Sequence, residues 1–209
     1  MVQRKWLALC GIVGAILPVV VIFAGGNGPN DHASGAKVVS FYGSHKTGNN
    51  LAALLLGIAG ILLVLFGSQL RAVLSGDRPA ASVLSRAAFG GFVAAAATMF
   101  VAACTHLAVV DAAKYGLVGT AQALNTLDNY ALFGVALAFS IIGLSAGFCT
   151  LAHPVLPRWL GWAAVVIGVV CLLGPIGFFG AALLLVWILV VAILMFRREL
   201  VPAAQPAAT

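Results

Sequence analysis

The sequence predicts an all-α fold: a polytopic membrane bundle of six transmembrane helices with both termini on the cytoplasmic side. Three observations carry this reading. The first is composition. Apolar residues make up 63% of the chain, only 8% are charged, and the mean hydropathy is +1.13. A soluble domain carries about a quarter charged residues. Here 11 basic and 5 acidic side chains would have to coat a core drawn from 209 residues. Lipid as the solvent removes that need, because the outer surface can then be apolar. The second observation is that the apolar residues fall in runs of spanning length, and the third is where the basic residues lie between them.

Four runs are separate: 6–24, 51–70, 87–110 and 130–151. The last apolar stretch, 159–196, is too long for one crossing. At ~1.5 Å per residue it would reach about 60 Å, twice the hydrocarbon thickness. Gly174-Pro175, followed by Gly177 and Gly180, offers the break. Spans five and six are therefore expected at 159–174 and 177–196. The first run has Arg4 and Lys5 before it, as a signal peptide does. Its long core and the poor cleavage site Val21-Ile22-Phe23-Ala24 favour a retained anchor.

Orientation follows from Lys and Arg. With the N-terminus inside, the inner segments hold Arg4, Lys5, Arg71, Arg78, Arg86, Arg158, Arg197 and Arg198, and the outer ones hold only Lys37, Lys46 and Lys114. That bias fits the positive-inside rule and a bacterial plasma membrane. An odd number of spans would put Arg197 and Arg198 outside. The net charge of +6 is thus a topology signal. No basic stripe interleaved with aromatics points to nucleic acid as a partner.

The 25–50 segment is an outer loop too small for a domain. Within it Val38, Phe41 and Tyr42 recur at helical spacing. They suggest a short helix lying on the membrane, with Tyr42 at headgroup depth. The 201–209 tail is rich in Pro and Ala and is expected to be disordered. No inverted repeat relates the two halves, so this mark of a transporter is missing.

Candidate chemistry gathers at the outer ends of spans three and four. His106 is the ionisable residue placed clearly inside a span, and such groups are costly in lipid unless paired. Asp111 and Asp128 are its expected partners. Tyr130 and His45 complete the candidate set for a ligand or proton site; Asn125 and Asn129 lead into span four with Asp128, and His32, Asn49 and Asn50 of the first outer loop can fold over the same mouth with His45. No metal-ligand spacing such as HxxxH supports these residues, so neither a metal nor another cofactor is expected. Cys10, Cys104, Cys149 and Cys171 each lie in an apolar run and read as reduced, buried small side chains. Gly143-Leu144-Ser145-Ala146-Gly147 matches the G-x-S-x-G pattern, but mid-span it lacks the strand-to-helix turn that exposes a nucleophile. Gly143 and Gly147 are better read as a helix-packing pair. Pro157-Arg158-Trp159-Leu160-Gly161-Trp162 opens span five, with Arg158, Trp159 and Trp162 as interface anchors.

The order of these features carries a resemblance. A basic start and first span lead to Phe41-Tyr42-Gly43-Ser44-His45. A second span ends in Gln69-Leu70-Arg71-Ala72-Val73-Leu74, and Leu156-Pro157-Arg158-Trp159-Leu160-Gly161-Trp162 comes later. From about Arg4 to Phe196 the chain resembles actinobacterial-type integral membrane proteins of unknown function. These are related to domain-of-unknown-function families with a Pro-Arg-x-Leu-Gly turn. The resemblance implies six helices in a plasma membrane and supplies no established catalytic residues to carry over. With membrane lipids as partners and little soluble mass, the expected role is non-enzymatic. It is either an accessory subunit beside other membrane subunits or a binder of lipid or another apolar ligand. A transporter or channel using His106, and an enzyme acting on lipid headgroups at the outer face, are the alternatives.

Overall fold

The computed structural model describes residues 2–26, 28–75 and 79–198. The tail at 201–209 and the basic residue Arg78 lie outside them. Among the described residues seven α-helices follow one another: α1 (Val2–Gly25), α2 (Gly35–Ser44), α3 (Lys46–Leu74), α4 (Pro79–Lys114), α5 (Val118–Ala152), α6 (Arg158–Val170) and α7 (Gly177–Arg198). Among the described residues there is no strand. Five of the seven, α1, α3, α4, α5 and α7, are long and apolar enough to cross a membrane, and α6 is a shorter apolar helix of 13 residues.

Small residues set how these helices pair. A Cβ on Gly11 of α1 would strike the Phe66 ring of α3, and one on Gly14 would meet Leu62 and Leu63. A Cβ on Gly67 of α3 would strike Phe92 of α4, while Gly60 faces Ala96 and Phe100. In both pairs residue numbers rise on one helix as they fall on the other, so neighbours run antiparallel. Gly91 with Ile142 and Gly134 with Thr98 set α4 against α5 in the same way. Phe66 and Phe92 meet edge to face, with centroids 5.9 Å apart. Each ring is seated over a glycine of the preceding long helix, Phe66 over Gly11 and Phe92 over Gly67. With no water to drive helices together in lipid, such close approach supplies the attraction.

The Gly143 and Gly147 pair packs within the chain, against α6. A Cβ on Gly143 would lie 2.7 Å from the Ala164 carbonyl, and one on Gly147 2.8 Å from the Gly161 carbonyl. Ser145 between them is buried in mid-helix. The α6 helix stops at Val170, and a short 3-10 turn at Gly174–Ile176, entered through Gly174 with φ +56°, leads into α7. The expected break is therefore at the expected glycine. It leaves α6 about 20 Å long, short of a full crossing by itself. Trp159 and Trp162 stand on the bundle surface, 61% and 62% exposed. Of the cysteines, Cys149 and Cys171 are buried as expected. Cys104 instead lies on the outer surface of α4, because its helix turns that position away from the core.

Contacts link α1 to α3, α3 to α4, α4 to α5, α5 to α7 and α7 back to α1. These five helices close a ring, and α6 buttresses it from outside through α5 and α7. At one end, α4 and α5 run past the expected span limits of 110 and 130, continuing to Lys114 and starting at Val118. The link between them is a tight helix stop: Gly116, at φ +67°, donates to the Ala113 carbonyl and Leu117 to that of Ala112. The helices extend because their polar ends satisfy one another rather than stopping at the edge of the apolar slab. The 25–50 segment is likewise more than a loop. It holds α2 and the start of α3, and α2 packs on α4 and α5.

Glycine substitutions separate close approach from open space. Gly147→Leu should cost about 1–3 kcal/mol of stability, because the clash is with backbone atoms that cannot yield. Gly57→Ala, whose new methyl meets nothing within 4 Å, should unfold at the same temperature as the parent or higher. Thermal unfolding in detergent reads both.

Candidate functional site

The extended ends of α4 and α5 carry the polar residues. Asn125, Asp128 and Asn129 sit at i, i+3 and i+4, so they share one face of α5. Asn49 opens α3 on the face that continues through Ala52, Ala53 and Leu56. His106 lies two turns before the end of α4. These faces converge. His106 Nδ1 lies 2.7 Å from Asp128 Oδ2, and His106 Nε2 lies 3.0 Å from Asn49 Oδ1. One imidazole therefore ties three spanning helices together. The His106 and Asp128 side chains keep only 19% and 15% of their exposure.

Hydrogen-bond accounting fixes the hydrogens. Asn49 Nδ2 donates to the His45 carbonyl at 2.9 Å, and a carbonyl can only accept. Asn49 must then turn its oxygen to His106, so Nε2 carries a hydrogen and donates. Nδ1 faces a carboxylate, so one further proton is held between Nδ1 and Oδ2. In that state His106 has no lone pair to offer. It can neither accept a proton nor ligate a metal without breaking this chain.

A second layer covers the first. Tyr42 of α2 is 3% exposed, and its ring meets His106 edge-on with centroids 5.6 Å apart. Its hydroxyl donates to Asn125 Oδ1 at 3.4 Å. The strap before α2 is pinned through its backbone: Asn125 Nδ2 donates to the Asn30 carbonyl at 2.9 Å, Thr126 Oγ1 to that of Asp31 and Asn129 Nδ2 to that of Pro29. Gly35 lets α2 start against the α4–α5 turn, since a Cβ there would lie 2.7 Å from the Val118 carbonyl. Burial pushes the Tyr42 phenol above its usual range, and the Asp128 charge adds to the effect.

Of the expected partners, Asp128 reaches His106 and Asp111 does not. Asp111 lies five residues further along the same helix, about 140° round it, and is exposed. Tyr130 is two residues past Asp128, on the opposite side of α5, and is 61% exposed. His45 is also exposed: its ring stacks on Phe41 and bonds locally to the Phe41 carbonyl and Ser44, and only its backbone enters the site. His32 is at the surface beside Asp31. Tyr42 is not a headgroup anchor but part of the interior, because α2 folds onto α4 and α5 rather than lying on lipid. The pairing of Val38 and Tyr42, four residues apart, was the signal for that buried face.

Below this polar chain is a cavity of about 410 Å³. Tyr42, Asn49, His106, Asp128 and Asn129 form its polar end. Ala53, Ala102, Met99, Val135, Phe139 and Leu185 form its apolar body. Met99 is seven residues before His106, so the cavity runs about 10 Å inward. Ile22 of α1, Leu132 of α5 and Phe178 of α7 also line it, and these are 67%, 46% and 45% exposed. The opening is therefore sideways, through the wall of the ring. No family model, curated protein or solved structure matches this chain.

Asp128→Asn should cost about 1–3 kcal/mol in detergent unfolding, less than breaking a fully buried pair because both side chains keep some solvent contact. The Tyr42 shift has a defined sign. The unfolded chain releases the phenol proton near pH ~10 while the folded chain keeps it, so stability present below that pH is lost as pH rises beyond it. Tyr42→Phe should flatten this alkaline slope in a pH series of unfolding curves.

Proposed function

We propose that the protein binds a small amphiphile drawn from the bilayer, holding the head against Asp128 and Asn129 and the apolar body between the spans. One observation carries this reading. A polar, proton-loaded chain caps an apolar cavity that opens sideways where lipid would lie. A volume of about 410 Å³ falls within the range of small-molecule sites. The one proton held between His106 and Asp128 leaves the pair without net charge, so the site favours a neutral head over a charged one. The carboxylate oxygen not facing His106 suits a hydroxyl or amide donor on that head. Of the two non-enzymatic roles expected from the sequence, ligand binding is the one that the cavity supports.

The same geometry weighs against the alternatives. A general base needs a free lone pair within reach of the proton it removes, and both His106 nitrogens are engaged. A transport path for polar solutes needs polar lining beyond the collar, whereas Ala102, Met99, Val135 and Phe139 continue inward. In the proposed topology the collar faces outward across a bacterial plasma membrane. The antiparallel order then gathers Arg71, Arg86, Arg158 and Arg197 at the cytoplasmic end, with Lys37, Lys46 and Lys114 outside. α6 and its turn supply the sixth crossing, and both termini are cytoplasmic.

Native mass spectrometry after gentle extraction tests the reading. The parent should carry a defined small amphiphile. His106→Ala should release it while inserting normally, and Ala102→Trp should do so by filling the cavity. An empty parent protein, or equal occupancy in all three, overturns the proposal.

A further inference from the structure

A second cavity, of about 320 Å³, lies between α3 and α4 at the end opposite the collar. Its chemistry is the reverse of the first. On α3, Ser68, Arg71, Ala72 and Ser75 follow i, i+3, i+4, i+7 spacing. On α4, Ser82, Ser85 and Arg86 follow i, i+3, i+4, with Phe89 at i+7. These are two facing helical stripes, and their polar members are the lining of the cavity. Further along, the same helices meet closely through Gly67 on Phe92 and Gly60 on Ala96. At this end they stand apart, and the gap is walled by two guanidinium groups and four hydroxyls.

The arginines are held in place. Arg86 donates from Nη2 to Ser82 Oγ at 2.8 Å and from Nε to the Ser82 carbonyl at 3.3 Å. Arg71 lies over the Phe89 ring, 5.8 Å from its centroid. Ser85 is 1% exposed, so the hydroxyl wall reaches into the protein. Among the described residues, neither arginine has a carboxylate partner. Between positions 71 and 86 the sequence holds three arginines, Arg71, Arg78 and Arg86, against the single acid Asp77. This segment therefore keeps a positive excess even with Asp77 paired.

We infer that this cavity is a binding site for a phosphate group. A carboxylate is planar and is matched by a single arginine fork. A tetrahedral phosphate presents several acceptor oxygens and suits two guanidinium groups arriving on two helices, beside the Ser68, Ser75 and Ser85 hydroxyls, which donate to the Leu65, Ala72 and Ser82 carbonyls of their own helices. The group is either a lipid headgroup at the membrane surface or a soluble phosphate ester. The site shares no lining residue with the amphiphile cavity and does not rest on that reading.

The test is lipid titration of the full chain in detergent, read by native mass spectrometry. Dioleoyl phosphatidic acid should bind about tenfold or more tightly than dioleoyl phosphatidylcholine. The preference should vanish in Arg71→Gln/Arg86→Gln and persist in Arg158→Gln, which removes a charge from the same end outside the cavity. Ala72→Trp keeps every charge and fills the gap, so it should also remove the preference. It decides the matter if the double variant does not insert. A parallel arm measures thermal unfolding with glycerol phosphate against chloride at equal ionic strength. Stabilisation there assigns a soluble ester, and a lipid preference alone assigns a headgroup. No preference in either arm, or equal loss in Arg158→Gln, overturns the inference.

Discussion

Inside a lipid-facing bundle a charged side chain must bring its own partners, because little water reaches it to supply them. The Asn49, His106 and Asp128 chain meets that constraint with three side chains from three helices, each oriented by the next. Remove the His45 carbonyl from Asn49 and the amide is free to turn. With the amide turned, Nε2 loses its acceptor, and the proton shared with Asp128 loses the arrangement that holds it there. The strap and α2 are fastened through the neighbouring Asn125, so the cover over the site and the site itself depend on one polar network. Such networks specify a single geometry when every member is satisfied.

Away from this network the helices are held by shape. Phenylalanine rings on α3 and α4 rest over glycines, and the α5–α6 contact rests on glycines at both sides. The two modes divide the molecule. Glycine contacts bring α3 close to α1 and α4, while the polar groups occupy the ends. Cavities form where packing gives way: one apolar and capped by a neutralised pair, the other polar and basic.

Much of the architecture was legible in the sequence. Apolar runs of spanning length marked the long helices, and Gly174-Pro175 marked the reversal before α7. The His106 and Asp128 pairing was half visible: the cost of a histidine in lipid demanded a partner, but two aspartates were eligible. Choosing between them needed the helical phase beyond the apolar run, since Asp111 is turned away by its place on α4. Tyr42 was harder. An aromatic in a polar segment next to a span reads as an interface anchor unless the segment folds back, and that depends on Gly35 and the Gly116 turn far away in sequence. Asn49 was the least visible. Its role arises from which way its amide is turned, and that is set by a carbonyl of its own helix.

Pro18 lies in α1 at the edge of the sideways opening, and it has no amide hydrogen to give to the Gly14 carbonyl. The helical turn that follows, with Val21 and Ile22 in the cavity wall, ends at Gly26 with φ +72°. The last third of α1 thus lies between a missing hydrogen bond and a residue free to rotate. Under the proposed binding, bending there, on the microsecond-to-millisecond scale of collective helix motion, would set how fast a guest enters and leaves. In that reading exchange rate and affinity answer to different parts of the molecule: the first to the stiffness of α1, the second to the polar head of the cavity.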